Sequence, residues 1–277
     1  MGVVHRPDLV ASDVDGTLLD PAERVTDRTA GVISRVLADG IPFVLVSGRP
    51  PRWIPRVAQA AGLTGYAVCA NGASIYDIGN DEVLHVRDLT PLQLQDVVRA
   101  VEAVLPDIKV AAERTVVGSH QPEPFAIEPG FRNPWGNPDG ETDSPDLAPR
   151  AEVVGKPATK LLVRNPGMTS GQMADAVEAV LGDMGLEITY SSNSGLIEIS
   201  ASGVTKAYGL EWVCRELGVD AERVVAFGDM PNDVPMVGWA GHGVAMANAH
   251  EDLLAVADEV TAPNSEDGVA QVLERWF

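Results

Sequence analysis

The sequence predicts an α/β protein, a parallel sheet interrupted by a second domain of α+β type. Three observations carry this. Short continuous apolar runs at Leu9–Ala11, Pro42–Val46, Tyr66–Ala70 and Val224–Phe227 each stop at polar, turn-forming residues, as strands buried on both faces do. Helical stretches separate the first three runs, and parallel neighbours need such crossovers. From about Thr90 the pattern changes, with helices segregated from strand runs that suit an antiparallel sheet.

Taken in order, Leu9–Ala11 is the first strand, and it ends in Asp13-Val14-Asp15-Gly16-Thr17. Thr26 can cap a helix through about Leu37, with Ala30, Ile33, Val36 and Leu37 as its apolar stripe and Gly40 closing it. The strand Pro42–Val46 ends in Ser47-Gly48-Arg49. A helix within residues 52–61 then leads to the strand Tyr66–Ala70, which ends at Asn71-Gly72-Ala73. Ile75–Ile78 and Val83–Val86 read as a hairpin leaving this domain.

The second domain should begin with a helix built on Leu94, Val97, Val98, Val101, Val104 and Leu105. Strands are expected at Lys109–Ala112, Thr115–Ser119, Thr159–Arg164 and Leu186–Ser191, with a helix at Gly171–Leu181. Gly195–Ile199 is expected to return the chain to the first domain. Thr205 then starts a helix ending at Gly218, Val224–Phe227 forms a strand, and strands near Gly243–Met246 and Glu259–Thr261 precede a last helical stretch, Gly268–Phe277.

The chain has 277 residues and a formal net charge of −20. That length suits one large domain or two smaller ones. The charge argues against nucleic-acid partners, whose phosphates are bound by Lys and Arg. It also means that an anionic substrate needs positive potential concentrated locally. Cys69 and Cys214 stand far apart in apolar surroundings and read as free thiols of a reducing compartment. No apolar leader or membrane-length run is found, and the five histidines lack zinc-ligand spacing. A cytoplasmic protein is expected.

Asp13 and Asp15, two residues apart on extended chain, project to one side. Their repulsion calls for a cation or a shared proton, and Gly16 lets the backbone turn and approach a ligand closely. This is the build of a metal-assisted phosphate site, although an acidic turn after a strand, or the Asp-x-Asp of a nucleotide-sugar transferase, reads the same locally.

The stretch DVDGTLLD resembles the first motif of the haloacid dehalogenase (HAD) superfamily of phosphotransferases. Ser47-Gly48-Arg49, Lys206 and Gly228-Asp229-Met230-Pro231-Asn232-Asp233 fall where that family has its other motifs. Their order and spacing are most similar to the Cof-type subfamily with a type IIB cap. The resemblance implies a Rossmann-like parallel-sheet core, residues 1–86 and 193–277, with an inserted α+β cap over 87–192. It also implies a Mg²⁺-dependent phosphatase acting through an aspartyl-phosphate on a small phosphorylated metabolite, such as a sugar phosphate or cofactor phosphate.

The same resemblance makes Asp13 the nucleophile, Asp15 the acid/base and Lys206 the cation that offsets charge on the nucleophile and phosphate. Metal ligands would be Asp13, the backbone carbonyl of Asp15, and Asp229, with Asp233 orienting the metal site or Lys206. Ser47 and Gly48 would hold phosphoryl oxygens, Asn232 would face the phosphate or the cap, and Arg49 and Asn71 would face substrate.

Each of these has a plainer reading, as turn residue, helix cap or solvated charge. Rival functions are a capped phosphomutase, whose fourth motif departs from the compact spacing seen here, and an idle phosphometabolite-binding protein, which needs no Asp15. A monomer or homodimer without membrane or nucleic-acid partners is expected. In the Pro- and Gly-rich segment Gln121–Arg150, Phe131, Arg132 and Trp135 are candidates to meet the leaving group.

Overall fold

The computed structural model describes residues 5–118, 125–131 and 146–277. The first part of the chain gives β1 (Leu9–Ser12), α1 (Asp27–Ala38), β2 (Phe43–Val46), α2 (Ile54–Ala61), β3 (Tyr66–Cys69), β4 (Ser74–Asp77) and β5 (Glu82–Val86). The middle part gives α3 (Pro91–Val104), β6 (Lys109–Glu113), β7 (Phe125–Ile127), β8 (Asp146–Leu147), α4 (Arg150–Val153), β9 (Lys160–Arg164), α5 (Ser170–Leu181), β10 (Glu187–Thr189) and β11 (Leu196–Ser200). The last part gives α6 (Lys206–Leu217), β12 (Val224–Gly228), α7 (Val234–Trp239), β13 (His242–Ala245), α8 (Glu251–Leu254), β14 (Glu259–Val260) and α9 (Gly268–Leu273).

Two compact units result, residues 1–85 with 205–277, and residues 86–204. The first holds an eight-stranded sheet in the order β14-β13-β12-β1-β2-β3-β4-β5. It is parallel from β14 through β3, and β4 turns back antiparallel to β3. The predicted hairpin therefore extends this sheet rather than leaving it. All residues of β1, β2 and β12 are buried, which is why their sequences are apolar without alternation. α1 is capped as the sequence predicts, Thr26 accepting from the Thr29 backbone N–H.

The sheet order positions the site. From β1 the chain builds outward through β2 and β3 on one side, and β12, β13 and β14 continue on the other. The order reverses between β1 and β12, and in such sheets ligands gather at the carboxyl ends of the strands beside that reversal. Asp13 follows β1 there, and Asp229 follows β12.

The second unit holds a six-stranded sheet in the order β10-β11-β9-β6-β7-β8, antiparallel except where β7 and β8 run parallel. Its helices α3 and α5 both open on a Thr-x-x-Gln capping box, from Thr90 and Thr169.

Three expectations change here. Leu196–Ser200 does not return to the first sheet; it pairs with β9 and β10, so the second unit runs on to Val204 rather than ending at 192. The reason is buried charge: Glu198, in the middle of β11, is met by Lys160 of β9 at 2.6 Å, a partner 38 residues away in sequence. Residues 115–118 lie outside the strands, and the sheet continues instead with Phe125–Ile127, which pairs antiparallel with Ala111–Glu113 of β6. Phe131 is buried with Ala111, Ile127, Leu162 and Leu196, so it belongs to the core of the second unit and offers no surface to a leaving group. Arg132 and Trp135 lie outside the described residues.

Candidate active site

β1 and β12 run side by side in parallel, with Ser12 opposite Phe227. Just past that pair, the Asp13 backbone N–H donates to the Phe227 carbonyl at 2.9 Å. The register thus delivers Asp13 and Asp229 to the same end of adjacent strands. Gly16, at φ +81°, folds the intervening loop directly against Asp229: a Cβ there would fall 2.2 Å from Asp229 Oδ2. Only glycine tolerates both the backbone angle and the approach. Thr17 adds a hydrogen bond from its hydroxyl to Asp229 Oδ1 at 3.1 Å.

Lys206 arrives from the N-terminus of α6, which Thr205 caps by accepting from the Tyr208 N–H. That end of the helix packs so closely on the turn after β3 that a Cβ at Gly72 would lie 2.0 Å from the Thr205 carbonyl. The close approach drives a fully buried ammonium into the carboxylates. Lys206 Nζ donates to Asp13 Oδ1 at 2.5 Å and to Asp233 Oδ1 at 2.6 Å. The other Asp233 oxygen accepts the backbone N–H groups of Asp229 and Met230, both at 3.0 Å. Asp233 is thereby committed to holding Lys206 and the Asp229 loop.

Burial would lower the Lys206 pKa, but Asp13 and Asp233 outweigh it, and the net shift is upward. Burial also pushes Asp13 well above the usual carboxylate range against the pull of Lys206. Asp229 is pushed up to about 7, first by burial and next by the charge on Asp233.

The neighbouring loops converge on this cluster. Ser47, buried at the end of β2, accepts the Arg49 backbone N–H on its hydroxyl oxygen at 3.1 Å. The Ser47 and Arg49 carbonyls accept the Asn71 and Ala70 N–H groups at 3.0 and 2.9 Å. Asn71 Oδ1 accepts from Asn232 Nδ2 at 3.1 Å, which ties the turn after β3 to the stretch after β12. Asn232 Oδ1 is buried and accepts no hydrogen bond among the described residues, leaving an acceptor beside the cluster. Asp15 stands apart from the other carboxylates, its two oxygens held by Arg49 at 2.8 and 2.6 Å.

Sequence reasoning missed three contributors on the far side of the loop. Asn248 donates to the Gly16 carbonyl, Asn264 to the Leu19 carbonyl, and the His250 backbone N–H to the Asp229 carbonyl. The signal available for Asn248 was an asparagine in a run of small residues just past a strand, where Asn commonly organises turns.

A family model described as haloacid dehalogenase-like hydrolase matches residues 10–273. The chain belongs to that family. It is a Cof-type HAD hydrolase, and its enzyme class is that of the phosphoric monoester hydrolases. It is 30% identical over 280 residues to the 5-amino-6-(5-phospho-D-ribitylamino)uracil phosphatase YitU of Bacillus subtilis, covering 98% of each chain. To the pyridoxal phosphate phosphatase YbhA of Escherichia coli it is 26% identical, covering 96% of this chain and 97% of that one. The solved structure of a sugar phosphatase of HAD subclass IIB superposes with a TM-score of 0.79 at 22% identity, covering 97% of this chain and 98% of that one, a likeness of fold.

The HAD cluster fits a hard divalent cation. Asp13, Asp229 and Asp233 are all buried and can present oxygens within 4.8 Å of one another, yet Lys206 is the ammonium that faces them. With all three ionised, two unit charges would be left over, and burial makes that costly. The second oxygens of Asp13 and Asp229 accept no hydrogen bond among the described residues. All available donors are oxygens, the set that Mg²⁺ takes.

Proposed function

We propose that this HAD hydrolase is a Mg²⁺-dependent phosphatase of a small phosphorylated metabolite, a sugar phosphate or cofactor phosphate, acting through an aspartyl-phosphate on Asp13. The observation that carries this is the Asp13 carboxylate at the sheet reversal, held at 2.5 Å by a lysine that is itself fully buried. A carboxylate fixed by one oxygen and open at the other is placed to attack. The relatives named as phosphatases of 5-amino-6-(5-phospho-D-ribitylamino)uracil and of pyridoxal phosphate support the substrate class.

Each residue has a task in that chemistry. Asp13 Oδ2 forms the bond to phosphorus as the bond to the leaving oxygen breaks. Asp15 gives a proton to that oxygen and later takes one from the water that attacks the aspartyl-phosphate, which frees Asp13 and releases phosphate. Because Arg49 holds both Asp15 oxygens, Asp15 must first leave Arg49, and the dianionic phosphoryl group offers that guanidinium another partner.

Ser47, Gly48 and Asn232 orient phosphoryl oxygens, and Lys206 offsets their charge. Asn71 holds Asn232. Mg²⁺, held by Asp13, the Asp15 backbone carbonyl and Asp229, supplies charge neutralisation and substrate orientation. With a net charge of −20, the reading has no nucleic-acid partner, and the two buried free thiols fit the cytoplasm.

Hydrolysis of an aryl phosphate tests the reading. It should require Mg²⁺ and vanish in Asp13→Asn with the fold retained. Turnover in chelator, or undiminished turnover in the variant, would overturn it.

A further inference from the structure

The loop bearing Asp13 and Asp15 is bracketed from outside by two asparagines. Asn248 Nδ2 donates to the Gly16 carbonyl at 2.9 Å, and Asn248 Oδ1 accepts the Asn264 backbone N–H at 3.0 Å. A carbonyl can only accept and an N–H can only donate, so these two partners fix the Asn248 amide in one orientation. Asn264 Nδ2 in turn donates to the Leu19 carbonyl at 2.7 Å, at the other end of the same loop.

The stretch that carries Asn248 also grips the second half of the carboxylate set. The Met246 N–H donates to the Gly228 carbonyl at 3.0 Å, and the His250 N–H to the Asp229 carbonyl at 2.7 Å. One short stretch, from Met246 to His250, therefore binds both the Gly16 turn and the Asp229 backbone. Gly16 lies so close to Asp229 that a Cβ there would overlap Asp229 Oδ2, which leaves the loop little room to move inward. Movement away stretches the bonds from Asn248 and Asn264.

We propose that Asn248, supported by Asn264, is a positioning residue that sets the separation between the Asp13–Asp15 loop and Asp229, and through it the size of divalent cation the site prefers. This rests on the Mg²⁺ reading above. Mg²⁺ demands near-ideal octahedral geometry at about 2.0–2.1 Å, whereas Ca²⁺ accepts flexible geometry at about 2.3–2.6 Å. A loosened loop should therefore penalise Mg²⁺ more than Ca²⁺.

Titration calorimetry of Mg²⁺ and Ca²⁺ into the parent, Asn248→Ala and Asn264→Ala, with melting followed in chelator, tests this. Asn248→Ala should weaken Mg²⁺ about tenfold, the scale of losses when a group behind a ligand is removed, and weaken Ca²⁺ distinctly less. Asn264→Ala keeps the backbone N–H that holds Asn248 and should show the same signature at about threefold, the scale of one net hydrogen bond. It decides the matter if Asn248→Ala does not fold. Asn80→Ala, which removes an exposed bond to Asp77, should change neither affinity.

A folded variant that binds Mg²⁺ like the parent overturns the proposal, as does equal weakening of both ions. A parent that binds no Mg²⁺ overturns the metal reading itself.

Discussion

Replacing Asp229 by asparagine should stabilise the metal-free protein, and the gain should grow with pH. Asp229 is buried beside Asp233 and Asp13, and its pKa is pushed up to about 7 from an ordinary 3.8. A carboxylate whose folded-state pKa lies above its unfolded value favours the fold while protonated. That contribution is fully present below the unfolded value and is lost as pH rises through about 7. The shift is about three units, or about 4 kcal/mol at about 1.4 kcal/mol per unit.

The amide of Asp229→Asn would stay neutral throughout and still accept the Thr17 hydroxyl on its oxygen. In chelator, the variant should melt close to the parent near pH 4 and roughly 8–16 °C above it by pH 8, at about 2–4 °C per kcal/mol. Added Mg²⁺ should raise the parent's melting temperature by mass action and leave the variant unmoved. Differential scanning calorimetry across pH, with and without Mg²⁺, measures both. A variant less stable than the parent at pH 8 in chelator, or a difference that does not change with pH, would refute the electrostatic reasoning.

Other expectations follow from the same geometry. Lys206→Met strands Asp13 and Asp233 without their cation and should destabilise the metal-free protein by about 3–5 kcal/mol, read by denaturant melts; a loss under about 1 kcal/mol would contradict the buried-pair account. Asp15→Asn should damage alkyl-phosphate hydrolysis more than nitrophenyl-phosphate hydrolysis, because only the alkoxide needs a proton; equal losses in kcat/KM would argue against the acid role. Phe131→Ala should destabilise the second unit by about 3–5 kcal/mol, and a melt unchanged from the parent would place Phe131 outside the core.

The core sheet was legible because its strands are buried on both faces, so Phe43–Val46 and Val224–Phe227 are apolar at every position and need no partner to be recognised. The residues that converge on the candidate site stood at strand ends, where Asp13, Ser47, Asn71 and Asp229 each break an apolar run. The second unit was harder, because its register rests on distant pairs. Leu196–Ser200 reads locally as core strand, and what marks it as part of the other sheet is its distant pairing, Glu198 opposite Leu162 and in an ion pair with Lys160. The targets of Asn248 and Asn264 were illegible for a related reason: each acts on a backbone carbonyl more than two hundred residues away in sequence, and a carbonyl leaves no mark on residue type.

The central claim is a covalent intermediate on Asp13. Borohydride reduces an acyl phosphate to an alcohol, so trapping during turnover and peptide mass analysis should convert residue 13, and no other carboxylate, to homoserine. Homoserine at position 13 that forms only when substrate and Mg²⁺ are both present is the expected result. Steady turnover with Asp13 recovered unmodified, or with the label on Asp15 or Asp229, would contradict it.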